Sequence, residues 1–140
     1  MTDSTSAKSE VLPEPDIARL HALRLSLLRL HHGLLEMERA SFEEKFGRVN
    51  SGELLQLVLN HAQFAWLRMI SAMVVEIDEM LNEDEPISPL SMRSLFTQAR
   101  KLFTSSDNKE FQVNYQAALQ NEPDIVMAHS EVMKLLRKKA

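Results

Sequence analysis

Twelve consecutive residues, Phe64 to Val75 (FAWLRMISAMVV), carry one charge, Arg68, and one hydroxyl, Ser71. A helix this apolar on nearly every side has to be covered on nearly every side. The run is too short and too interrupted to span a bilayer. It therefore predicts the central helix of an all-α domain. It also isolates Arg68, because a guanidinium set among such residues needs a carboxylate or a ligand.

The flanking sequence reads as helix throughout. Leu20, Leu23, Leu27, Leu30, Leu34 and Met37 recur at alternating steps of three and four, a heptad stripe. Leu28, Leu35 and Phe42 widen it to a globular face. The spacing predicts a helix from Pro15 or Asp16 to Phe46, with Gly47 as a left-handed stop, about 45 Å long. Asn50 and Ser51 can cap a short second helix, with Glu53 near its positive end. Asn60-His61 marks either a break or a kink before the apolar helix, expected over 62–81. On that helix Trp66, Leu67, Ile70, Met73, Val74, Ile77 and Leu81 share a face, with Phe64, Ala65, Ala72 and Val75 opposite.

The segment NEDEPISP is the clearest linker. Ser88 caps the next helix with Pro89 at its first position, and Leu90, Leu95, Ala99, Leu102 and Phe103 face inward. Asp107 with Glu110 reads as a capping box opening another helix, with Phe111, Tyr115, Ala118 and Leu119 turned in. Pro123 starts a last helix carrying Ile125, Val126, His129, Val132 and Leu136. No segment alternates as a strand and no repeat is visible. The expectation is an all-α, irregular bundle of five to six helices with a long N-terminal helix and a central apolar helix, the two forming an antiparallel pair. Residues 1–12 are expected to be a disordered tail and 13–140 a single helical domain.

The stretches Gly52-Glu53-Leu54-Leu55-Gln56-Leu57, Phe64-Ala65-Trp66-Leu67-Arg68 and Ile77-Asp78-Glu79 resemble a set of short bacterial helical proteins, from about residue 17 onward. The resemblance implies a small cytoplasmic helical protein and carries no activity to any residue.

Composition removes several kinds of chemistry. There are no cysteines, so disulfides, thiol catalysis and cysteine-ligated metal centres are excluded. The polar start MTDSTSAKSE lacks the parts of a secretory signal, which reads as cytoplasmic with no membrane. A net charge of −4 argues against nucleic acid as a partner. None of His21, His31, His32, His61 or His129 has Glu three positions before it, and no His-x-x-x-His occurs, so no metal is expected. His129, on an apolar face, reads as a hydrogen-bonded core residue, not a haem ligand. Neither a nucleophile elbow nor a glycine-rich phosphate loop is present, and no cofactor is expected.

One polar pattern remains. Arg24, His31 and Glu38 are seven apart, beside the leucine stripe. Glu38, or alternatively Glu36 or Glu53, is the expected acceptor for Arg68. Such a cluster of Arg24, His31, Glu38 and Arg68 is either a buried ion pair fixing helix register or a polar pocket for a small anion. Glu76, Asp78, Glu79, Glu83, Asp84 and Glu85 form either a solvated linker or a docking patch for a basic partner. Arg19, Arg24 and Arg29 leave the first half of helix one basic, as KLLRKKA does the C-terminus. Met37, Met69, Met73 and Met80 suit plastic packing or an adaptable surface.

Helix one has more apolar width than so small a body covers. The expected function is therefore a non-enzymatic interaction or regulatory protein presenting helical surfaces for self-association, as a homodimer, or for a protein partner. The alternative is a small-ligand-binding bundle with a polar pocket between the first and the central helix.

Overall fold

Pro13 and Gly47 bracket the first helix, the proline by restricting the backbone and the glycine by reaching a conformation closed to other residues. In the computed structural model, which describes residues 12–137, α1 spans Glu14–Phe46, 33 residues, about 50 Å. Pro13 at the N-cap is extended and Pro15 sits in the first turn, where its missing N–H is no loss. At the other end Gly47 takes φ 91° and ψ 170°. The positive φ is as expected, but the ψ lies outside the left-handed helical basin, in a region open in practice only to glycine. Leu20, Leu23, Leu27, Leu30 and Leu34 are fully buried, so the heptad stripe is the inner face of α1.

Five further helices follow among the described residues: α2 (Ser51–Asn60), α3 (Arg68–Asn82), α4 (Pro89–Thr104), α5 (Lys109–Asn121) and α6 (Pro123–Arg137), with a 3₁₀ segment, Ala62–Leu67, between α2 and α3. No strand occurs among them. Asn50 and Glu53 close a reciprocal capping box on α2, and the Ser88 hydroxyl accepts from the Leu90 N–H at 3.2 Å on α4. On α5 the cap is Asn108, which accepts from the Phe111 N–H at 3.0 Å; Asp107, expected there, instead donates its N–H to the Ser105 hydroxyl. Leu12, assigned by the sequence to the tail, is buried and donates its N–H to the Ile87 carbonyl at 3.2 Å. Residues 1–11 lie outside the described residues.

Contacts along α1 give the packing. Arg24 meets Asp78 while Glu38 meets Trp66, so α3 runs antiparallel to α1. Arg19 meets the Leu135 carbonyl and Arg29 meets Glu131, so α6 does the same on the other flank. Gly33 permits the second approach: a Cβ there would stand 2.8 Å from Ile125 Cδ1. The remaining face is closed by α4 and α5 through rings in contact, Trp66–Phe111 at 5.6 Å, Phe103–Tyr115 at 5.3 Å and Phe111–Tyr115 at 5.1 Å.

The apolar run does not form one buried helix. His61 is extended and the six residues after it are 3₁₀, so Asn60-His61 is a break. A 3₁₀ helix turns about 120° per residue against about 100° for an α-helix. Six residues therefore shift the phase of α3 by about 120° from what one continuous wheel gives. Phe64, Trp66 and Leu67 are buried by the 3₁₀ segment, and Ile70, Met73, Val74 and Ile77 by α3. Arg68, Met69, Ala72 and Val75 face out, with Val75 55% exposed. α3 is amphipathic, a flank of the bundle and not a pillar covered on both sides.

Candidate functional site

The four polar residues singled out by the sequence are not brought together. Arg24 pairs with Asp78. His31 is half-buried beside His32, and its pKa is pushed down by burial and by that neighbouring ring. Glu38 accepts from Trp66 Nε1 at 2.8 Å and from Gln63 Nε2 at 2.9 Å. Residues three apart eclipse on a 3₁₀ helix, so Gln63 and Trp66 stand on one edge and reach the two oxygens of a single carboxylate. The expected Glu38–Arg68 pair is absent: Gln63 and Trp66 take the carboxylate, and Arg68 stands on the side of α3 opposite the buried Ile70, Met73, Val74 and Ile77. The cluster that was to line a pocket between α1 and α3 is thus engaged in separate contacts.

Arg68 finds a different kind of partner. Its Nη2 donates to the Leu59 carbonyl at 2.5 Å and to the Val58 carbonyl at 3.3 Å. These are unpaired groups at the end of α2, where a helix presents its negative pole. The same device recurs. Arg19 donates to the Leu135 carbonyl at 2.7 Å while lying 4.5 Å over the Phe96 ring, and Arg100 donates to the Leu136 carbonyl at 2.8 Å. Arg39 donates to the Val49 carbonyl at 2.9 Å, and Glu43 accepts the Val49 N–H, which holds the Glu43 carboxyl below its ordinary range. The sequence points Arg68 to a carboxylate; the last carbonyls of a helix are carboxylate-like acceptors that composition does not display.

His129 is hydrogen-bonded as expected, but half-buried at the edge of the core. Its Nδ1 is 2.6 Å from the Tyr115 hydroxyl. Burial pushes the Tyr115 pKa well up, and burial, then Arg137, pushes that of His129 down. Both groups are held neutral, so the hydroxyl is the natural donor and Nδ1 the acceptor. Among the described residues no group of three or more His, Asp or Glu is placed to hold a metal ion, and no helix is long and apolar enough to cross a membrane.

Beside a smaller cleft of about 570 Å³ between α1 and α6, the bundle leaves one of about 850 Å³ between α3 and α4. Its floor is Met69, Ala72 and Met73 of α3 with Leu102 of α4. Asp107 and Asn108 of the α4–α5 loop close one end, where Asn108 Nδ2 lies 3.8 Å from Met69 Sδ. Arg68 and Lys101 lie toward this end, Gln98 beyond them, and Glu76 and Glu79 line the outer part of α3. The lining holds no histidine, serine, threonine or tyrosine. Its chemistry is that of binding: an apolar, methionine-rich bed between charged rims. The signal in the sequence was the apolar excess of the 64–75 run, read there as burial.

Comparison with protein-family models, with curated proteins and with solved structures gave no match.

Proposed function

We propose that this chain is a non-enzymatic interaction protein that binds another polypeptide through the cleft between α3 and α4. The observation that carries this reading is the outward apolar side of α3. Met69, 40% exposed, and Ala72 line the cleft with Met73 and Leu102 as the bed beneath, and Val75, 55% exposed, stands just outside it on the same helix. Leaving such a stripe in water gives the isolated chain nothing, whereas a partner gains from covering it. Met69 and Met73 add a surface that adapts its shape to what lies on it. Leu25 and Leu28 on α1, and Leu55 and Leu59 on α2, are exposed as well, but Leu25 and Leu28 lie on the α6 side of α1, apart from this cleft.

The test joins two measurements on the wild-type chain and on Ala72→Arg, which fills the floor at an exposed position with a good helix former. Sedimentation velocity across a concentration series reports self-association. Cross-linking in the native host reports stable partners. The expected result is that Ala72→Arg removes an association seen with wild type while leaving the melting temperature in place. Identical sedimentation profiles and identical cross-linked species for both chains refute the reading.

A further inference from the structure

The charges around the cleft are segregated along its length, and this goes beyond saying that it binds a polypeptide. Glu76 and Glu79 stand on the outer part of α3, and the exposed carboxylates of Glu83, Asp84 and Glu85 continue the series just past its C-terminus. At the other end are two cations, Arg68 and Lys101, with Asp107 beside them. One end is therefore strongly negative and the other mildly positive, with apolar floor between.

Resting on the docking reading above, we infer that the occupant is an amphipathic helix of a partner protein, with a basic C-terminal turn over Glu76 and Glu79 and an acidic N-terminal turn over Arg68 and Lys101. The eleven steps from Arg68 to Glu79 span about 16 Å, the length of three helical turns. A bed flanked by two helices takes a third by ordinary side-chain packing. The charge order also agrees with the demands of the guest. Acidic residues in the first turn and basic residues in the last stabilise any helix through its dipole. The sequence that complements this cleft is thus the one that forms a helix most readily, and it docks parallel to α3. Side-chain charges set this direction because each is a full unit, against about half a unit at each pole of the backbone.

The probes are two synthetic amphipathic peptides of about 14 residues with the same apolar stripe. One carries Glu in its first turn and Lys in its last; the other has them exchanged. Each is titrated into the ¹⁵N-labelled full chain and followed by amide shifts. The expected result is that the first peptide moves signals of residues 69–79 and 101–108 and binds about five- to tenfold more tightly than the exchanged one. That ratio falls as salt rises from about 50 to 500 mM. The double substitution Glu76→Lys, Glu79→Lys reverses the preference, and Ala72→Arg abolishes binding of both peptides. Equal affinity for the two peptides, with both lost in Ala72→Arg, overturns the inference while the docking reading stands. Cleft signals that move with protein concentration alone identify a second copy as occupant, with the same consequence. If cleft signals respond neither to a peptide nor to concentration, both fall.

Discussion

Replacing Glu38 by alanine is the most revealing single perturbation of the interior. The carboxylate is the shared acceptor of Trp66 Nε1 at 2.8 Å and Gln63 Nε2 at 2.9 Å, and Trp66 is only 4% exposed. A hydrogen bond to a charged group contributes about 1.5–3 kcal/mol net, and a buried donor left unpaired loses its full desolvation cost. Gln63 is half-buried and can turn to water, so its share is small. The expected cost of Glu38→Ala is about 2.5 kcal/mol, nearly all from the indole, or about 7 °C in melting temperature for a chain of this size. Glu38→Gln keeps a neutral acceptor and should cost about 1 kcal/mol. Trp66 is the only tryptophan, so its emission during urea unfolding reads this site directly. A double-mutant cycle with Trp66→Phe, followed by circular dichroism, should give a coupling of about 2 kcal/mol. If Glu38→Ala lies within about 0.5 kcal/mol of wild type with an unchanged emission maximum, the shared-acceptor account of the 3₁₀ segment is wrong.

Other consequences are measurable with the same preparations. Leu27, fully buried in the α1 stripe, should cost about 3 kcal/mol as Leu27→Ala in urea unfolding. Arg68→Ala should cost under about 1 kcal/mol, since it removes an exposed helix-end contact, whereas removing one partner of a buried ion pair costs about 3–5 kcal/mol; a loss of the larger size would restore the buried pair. Asn50→Ala should speed amide exchange within α2 with little change in the global midpoint, because α2 has no fully buried residue to couple its melting to the core; a midpoint lowered by several degrees would contradict this. His31 and His129 are both held below their ordinary value of 6.5. The unfolded chain then binds more protons than the folded one between their folded pKa values and 6.5, so stability rises with pH through that window, is lost as pH falls through it, and is flat below it. Melting temperatures measured from about pH 5 to 7.5 should show this slope, and His31→Gln with His129→Gln should flatten it; an unchanged slope in the double variant assigns it elsewhere.

The legible part of the fold is the part written in short-range order. Leu20 to Leu34 announce their buried face because an α-helix brings every third or fourth residue to one side. Ser88-Pro89, Asn50 with Glu53, and Pro123 announce helix starts because their effects act within a turn. Asn108 replaced Asp107 as a cap by a shift of one residue, the usual uncertainty of such signals. The site was less legible. Glu38 lies on the inner side of α1, as its position beside the leucines required, yet its partner was misassigned. A single α-helical wheel over 62–81 misplaces its first six residues, which are 3₁₀. Arg68 was given a carboxylate because backbone carbonyls at the end of α2 leave no mark in the composition.

The sequence by itself determined that this chain is helical, roughly how many helices it has, where most of them start, and that the leucines of the α1 stripe from Leu20 to Leu34 are inside, whereas Leu90, read as inward, is exposed. Those properties depend on periodicity and on caps, which act over a few residues. Only the tertiary structure decided that the apolar stretch from Phe64 to Val75 is divided between a buried 3₁₀ segment and a half-open α3. It alone decided which polar groups meet, and that α4 leaves the outer side of α3 uncovered. The physical reason is phase and distance. Small differences in turn per residue accumulate across a break, and the gap between two helices is set by all the others that pack against them.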